Sequence, residues 1–489
     1  MSVVLGIDNG TQSTKVLFYD ANNHRVLEIK SAPHALDSRK DGTREQKTHW
    51  WIDALLSCLN QVDSSLKSQV QAMGVSGQQH GMVALDEHGH SLLPVKLWCD
   101  TSTQFWSEEL TKRFGGRERL IQELGNPLAA GYTAGKVLWL KEMLPQVFSS
   151  LRWILLPHDY LNFWLTGRVS AEWGDASGTG FLDVRKRCWH EGLLSMVDSK
   201  LIQKFPPLLE QGEPAGVLSQ EAAQCTGLPP GIPVSSGGGD NMMGAWGTGT
   251  VEDGDLTLSL GTSGTLYGYS SRPFVDDDGV LAAFCSSSGG WLPLLCTMNC
   301  TVATEFAREM MGVELDEMER LATASSPGAS GVTMLPFFHG ERVPDLPHGK
   351  ASIMGLDATN TTRENILRSG MEAAVYGMRV GLDRFRELGY QPKGIRLTGG
   401  GSQSPLWRQM CADILKCPIS VPQITESAAF GAALQALWTL DGGGDLPSLV
   451  QKHVQFDAEK SCEPVDVPGY DEGFERYQMW LKGLIPYYR

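Results

Sequence analysis

Twice in this chain a short apolar strand runs into a turn of glycine, threonine and serine and comes out as a second strand. Val3 to Ile7 meets Asp8-Asn9-Gly10-Thr11-Gln12-Ser13 and continues as Lys15 to Asp20. Asp255 to Leu260 meets Gly261-Thr262-Ser263-Gly264 and continues through Thr265-Leu266-Tyr267. Each reads as an antiparallel hairpin. A chain of 489 residues exceeds a single core, which stops growing at about 250–300 residues. Two domains that open alike are therefore expected, residues 1–245 and 246–489. Between the hairpins, strand signals such as Ala72-Met73-Gly74-Val75 alternate with helical spacing around Thr48 to Lys67, and residues 131–166 read as mainly helical, with Lys136 to Leu140 on an amphipathic helix. The alternation predicts an α/β fold. In the second half Arg396 to Thr398 is a strand ending in glycines, followed by helices from Pro405 and Ala428. Residues 441–470 read as surface loop, and 473–488 as a last helix.

The net charge of −15 disfavours nucleic acid and anionic membrane as partners. No apolar run nears the ~18 residues of a membrane span. The opening segment lacks a basic stretch and soon meets Asp8, so no signal peptide is expected. The ten cysteines show no metal-binding spacing and read as reduced thiols in a cytoplasmic protein.

Five loops carry candidate chemistry. Gly10, Thr11, Gln12 and Ser13 offer backbone amides and hydroxyls to an anion. An acid at the strand end, Asp8, faces a phosphate only across a cation, which points to Mg²⁺. Gly261 and Thr262 repeat the amide-and-hydroxyl pattern; a plain hairpin turn is the alternative for both loops. Gly399-Gly400-Gly401 ends a strand before a helix and suits a nucleotide base or ribose, or a helix-entry turn without ligand. No P-loop motif is present, so an ATP site is of another design. Gly237-Gly238-Gly239-Asp240-Asn241 is the sharpest signal: three glycines suit a substrate lying on main chain, and Asp240 suits a base that takes the proton of an attacking hydroxyl. A helix N-cap is the competing role for Asp240. Gly77-Gln78-Gln79-His80-Gly81 offers hydrogen-bonding groups for a polyol, with Trp98 a candidate wall and Asp100 beside it.

Gly6 to Thr11, the 77–81 loop, the 237–241 loop, Leu260 to Gly264 and Thr398 to Gly401 together resemble the FGGY family of carbohydrate kinases. Two further segments, Gly131 to Met143 and Ala351 through Glu372, are similar to that family's signatures. Within it the chain is most similar to the branch that phosphorylates D-xylulose, with Gly340 to Pro344 adding to the likeness; Trp98-Cys99-Asp100-Thr101 departs from the usual Trp-Asn-Asp-Gly. The resemblance implies two actin-like lobes of the ribonuclease H type with ATP and sugar in a cleft. It implies Mg²⁺ at Asp8 and Asp240, Asp240 as general base, and Gln79, His80, Trp98 and Asn241 near the sugar. It implies ATP phosphates at Gly10 to Ser13, Gly261 and Thr262, and the nucleoside at Gly400 and Gly401. Another sugar or polyol as substrate, or a non-kinase nucleotide switch, stays open, as does a homodimer.

Overall fold

The computed structural model describes residues 2–488. It divides into two compact units. The first holds the residues up to Glu252 together with Tyr269–Pro293 and Glu426–Val454. The second holds Asp253–Gly268, Leu294–Thr425 and the residues from Gln455 onward.

In the first unit β1 (Val3–Asn9) pairs antiparallel with β2 (Ser13–Asp20), and β2 with β3 (Arg25–Pro33). On its other side β1 runs parallel to β4 (Val70–Gly77), which runs parallel to β5 (Pro233–Val234). The order is β3-β2-β1-β4-β5. Both faces of β1 are covered, which is why it reads as an unbroken apolar run and does not alternate. One face is packed by the helix Thr48–Asn60, whose Trp51, Leu55, Cys58 and Leu59 are fully buried. Burial of a leucine such as Leu55 contributes about 1.5–3 kcal/mol relative to exposure.

The other face is closed by the helix Ser427–Leu440, and here the contact is main chain to main chain. A Cβ on Gly6 would lie 1.8 Å from the Ala429 carbonyl oxygen, and one on Gly74 would lie 2.3 Å from that of Ala432. The same helix meets the helix Asp240–Thr248 through glycines, Gly431 against the Met243 carbonyl and Gly247 against that of Ser427.

In the second unit β6 (Asp255–Leu260) pairs antiparallel with β7 (Gly264–Gly268), and β7 with β8 (Trp291–Thr297). β6 runs parallel to β9 (Gly394–Thr398), and β9 to β10 (Ile419–Pro422). The order β8-β7-β6-β9-β10 repeats that of the first unit.

Two sequence expectations need correction. Residues 441–470 are not simply loop: they hold the helix Leu446–His453, with proline in its first turn, and the strand Phe456–Cys462 on the edge of β10. That strand is polar because it is an edge, where charged side chains guard against further pairing. The helix Thr133–Met143 is not amphipathic; Thr133 to Leu138 are buried without a break, Lys136 included. No helix among the described residues is long and apolar enough to cross a membrane.

Candidate active site

Neighbouring strands of the first unit deliver the site at one sheet end. Asp8 on β1 lies beside Ser76 on β4, and Ser76 lies beside Gly238, which leads into Asp240. These are the carboxyl ends of parallel strands, where open α/β sheets place their ligands. The Ser76 hydroxyl donates to Asp8 Oδ1 at 2.9 Å. Even so, burial pushes the Asp8 carboxyl up to about 6, against the Ser76 hydrogen bond and the Lys15 charge.

Asp240 is the first residue of the helix Asp240–Thr248; the N-cap position belongs to Gly239. Its Oδ1 accepts from its neighbour, Asn241 N–H at 2.7 Å and Asn241 Nδ2 at 3.0 Å. A helix N-terminus favours the carboxylate. Burial outweighs it, and the charges of Asp8 and Asp175 add to burial, so the Asp240 pKa rises to about 7. Asn241 Nδ2 also donates to Gln79 Oε1 at 2.9 Å, which ties the 77–81 loop to Asp240.

The three glycines before Asp240 have a different reason from the one the sequence suggests. Gly237 takes φ +72°, and a Cβ there would lie 2.5 Å from the Val75 carbonyl oxygen. A Cβ on Gly238 would meet Ser287 Oγ at 2.5 Å, and one on Gly239 would meet Gln79 Cγ at 2.8 Å. Protein atoms fill these spaces, so the run is required by close packing around Asp240 and not by a ligand lying on it.

The loop between β1 and β2 is Gly10, Thr11 and Gln12, closed by Gly10 N–H to the Ser13 carbonyl at 3.0 Å. It is not an Asn-Gly two-residue turn, since neither Asn9 nor Gly10 has positive φ. The Thr11 carbonyl accepts from Gln46 Nε2 at 2.8 Å. A trans peptide points its N–H opposite its C=O, so the Gln12 amide is turned away from Gln46. The Thr11 hydroxyl is engaged within the protein, accepting from Trp98 Nε1 at 2.9 Å and lying 3.3 Å from Gln78 Oε1. Gln12 is exposed and Ser13 begins β2. His80 sits in the left-handed region at φ 62°, its ring centroid 4.7 Å from that of Tyr132. Asp100 is structural: it is fully buried, accepts from Arg44 N–H at 2.8 Å and lies 3.4 Å from Lys96 Nζ. The structure thus brings Asp8, Thr11, Gln79, Trp98, Asp240 and Asn241 into linked contacts of one unit.

The remaining candidates lie in the second unit. The carbonyls of Gly261 and Thr262 accept from Thr301 N–H at 2.9 Å and Cys300 N–H at 3.2 Å, at the start of the helix Thr301–Met311. Gly399, at φ +84°, packs on the Leu260 main chain, and a Cβ on Gly401 would meet Leu260 Cβ at 2.8 Å. A Cβ on Gly400 would meet nothing within 4 Å. The two glycine loops of this unit are therefore neighbours.

Sequence reasoning missed a buried cluster behind Asp240. His158 Nδ1 lies 2.7 Å from Asp175 Oδ2, both fully buried, and Gln79 Nε2 lies 3.5 Å from Asp175 Oδ1. Asp159 Oδ1 lies 3.0 Å from His158 Nε2 but out of line for a hydrogen bond. Burial raises Asp175 well above the carboxylate range and Asp159 to about 7. The only signal in the sequence is three acids and a histidine within residues 158–175 of a largely apolar stretch.

A duplicated strand order with glycine-threonine hairpin loops, and a half-buried acid at a helix start bonded to the 77–81 loop, are the features of an actin-like phosphotransferase. The chain belongs to the FGGY family of carbohydrate kinases. Residues 3–247 match the model of that family's N-terminal domain and residues 256–440 that of its C-terminal domain. It is 42% identical to a xylulose kinase of Haemophilus influenzae, over 98% of this chain and 99% of that one. It is 36% identical to a xylulose kinase of Streptomyces coelicolor, over 90% and 88%. The solved structure of a xylulose kinase from Bifidobacterium adolescentis aligns over 98% of this chain and 99% of that one, with a TM-score of 0.84 and 30% identity. The protein is an ATP-dependent carbohydrate kinase with an actin-like fold.

Proposed function

We propose that the protein transfers the γ-phosphoryl group of ATP to O5 of D-xylulose, with Asp240 as the general base. The relatives named above support the sugar. The observation that carries the mechanism is the placement of Asp240, the first residue of its helix, bonded through Asn241 to Gln79, so that a proton-accepting carboxylate stands among the proposed sugar contacts. Gln79, His80 and Asn241 hold the ketose hydroxyls, and Trp98 lies along its carbon face. Asp240 takes the O5 proton as O5 bonds to the γ-phosphorus and the bond to ADP breaks. The transition state is loose, so holding the two reactants in line matters more than base strength. Gly10, Thr11, Gln12 and Ser13 of the N-terminal lobe (residues 1–245), and Gly261, Thr262, Gly400 and Gly401 of the C-terminal lobe (246–489), bind the nucleotide.

Asp8 and Asp240 are the residues that would hold Mg²⁺. They fit it: two desolvated carboxylates, one raising the proton affinity of the other, are what a divalent ion relieves, and Mg²⁺ needs only one or two carboxylates beside water and phosphate. Bound there, it supplies charge neutralisation for the phosphates. Ten free thiols support a cytoplasmic setting.

Coupled ADP release with MgATP and a panel of D-xylulose, D-ribulose, L-ribulose, glycerol and gluconate tests the substrate. D-xylulose should give the highest kcat/KM by at least about tenfold. Preference for glycerol or gluconate would overturn the sugar assignment, and sugar-independent hydrolysis would overturn the kinase reading of the site.

A further inference from the structure

Lys136 is a fully buried lysine with no place in the proposed chemistry. Its Nζ donates to two main-chain carbonyls, those of His80 and Gly131, each at 2.7 Å. The His80 carbonyl also accepts from the Thr133 hydroxyl at 3.1 Å. His80 is a residue with a side chain held in the left-handed region, a conformation that needs support from its surroundings. The support is on one short segment: Lys136 and Thr133 fix its carbonyl, and Tyr132 lies against its ring. From the far side, a Cβ on Gly178 would lie 2.3 Å from His80 Cε1, so the ring is confined there too. Gly131, the second carbonyl that Lys136 holds, abuts the other sugar segment; a Cβ on it would lie 2.0 Å from the Trp98 carbonyl oxygen.

We propose that Lys136 is a positioning residue for the sugar, clamping the main chain of His80 and, through Gly131, the turn that carries Trp98, so that it sets ketose affinity and selectivity without touching the ketose. This rests on the sugar-binding role proposed for the 77–81 loop. Burial pushes the Lys136 amine down to about 7, against the charges of Asp100 and Cys99. A neutral amine still carries two hydrogens, so both carbonyls are served in either protonation state.

The test is steady-state kinetics of the full-length protein, with D-xylulose and MgATP titrated separately, for wild type, Lys136→Met and Thr133→Val. Lys136→Met removes both clamping bonds at similar volume. It should raise KM for D-xylulose about 10- to 100-fold, the effect of a small misplacement of binding groups, and narrow the preference over D-ribulose. KM for MgATP should stay within about twofold, since Lys136 bonds only the carbonyls of His80 and Gly131 and none of the proposed nucleotide residues. Thr133→Val removes one neutral donor to the same carbonyl and should raise the sugar KM about 2- to 10-fold. An unchanged sugar KM in both variants overturns the clamp, as does an equal rise in both KM values, which marks a general structural role. If Lys136→Met does not fold, an unchanged D-xylulose KM in Thr133→Val overturns it alone. A wild type that does not turn over D-xylulose overturns the sugar-binding reading and the clamp with it, and that failure shows in the unmutated protein.

Discussion

Desolvation penalises ionisation of both Asp8 and Asp240, and the Asp8 charge adds to the cost at Asp240, so the ligand-free site carries less negative charge than two exposed acids would. A divalent ion held there, as proposed, would reverse that balance. Asp8→Asn should therefore raise the Mg²⁺ concentration for half-maximal rate by at least about tenfold, since even outer-shell changes at metal sites cost that much. A titration of rate against Mg²⁺ checks it, and an unaltered curve would remove Asp8 from the metal site. Asp240 was legible in the sequence because three glycines before an acid mark an unusual stretch of backbone, although their reason proved to be close packing and not a ligand. Its surroundings were not. His158 and Asp175 come from separate helices, and their pairing depends on Gly77 and Gly239 letting those helices approach, with Cβ distances of 2.8 Å to His158 N and 3.0 Å to Asp175 Oδ1. Nothing local to either residue encodes that approach.

The helix Asp240–Thr248 is held by backbone contact, not by interlocking side chains, and the proposed base is its first residue. A Cβ on Gly431 would sit 1.8 Å from the Met243 carbonyl oxygen, so Gly431→Ala must push the two helices apart. Overpacking of this kind costs about 1–3 kcal/mol, and here it also shifts Asp240. Gly431→Ala should lower both the thermal midpoint and kcat; a variant equal to wild type in both would show that the contact bears no load. At this scale the hairpins were readable because their turn chemistry is local. The helix Leu446–His453 was hidden by the glycines before it and the proline in its first turn, and the burial of Lys136 was hidden because a lysine normally marks a solvent face.

The strand order of each unit is the same, but the chain does not finish one unit before starting the next. The helix Ser427–Leu440, from near the end of the chain, closes the face of β1 and β4 in the first unit. A fragment of residues 1–252 alone should thus lack a cooperative thermal transition, because that apolar face is bare; a sharp melt by circular dichroism would contradict this. The buried acids give the whole protein a pH signature. Asp159 and Asp175 keep protons in the folded state that the unfolded chain releases above about pH 4. The unfolded state then binds fewer protons, so stability falls as pH rises from about 4 toward 7. The midpoint of the ligand-free protein should fall between about pH 5 and pH 7, and fall less in Asp175→Asn. A midpoint that climbs across that window would contradict the sign.

The most direct test of phosphoryl transfer with Asp240 as base is the turnover of Asp240→Asn with saturating D-xylulose and MgATP, alongside D-xylulose binding without nucleotide. Turnover should fall by about 10²–10⁴-fold, the contribution of a general base, while the sugar still binds with an affinity near that of the wild type. Near-normal turnover in that variant would contradict the mechanism outright.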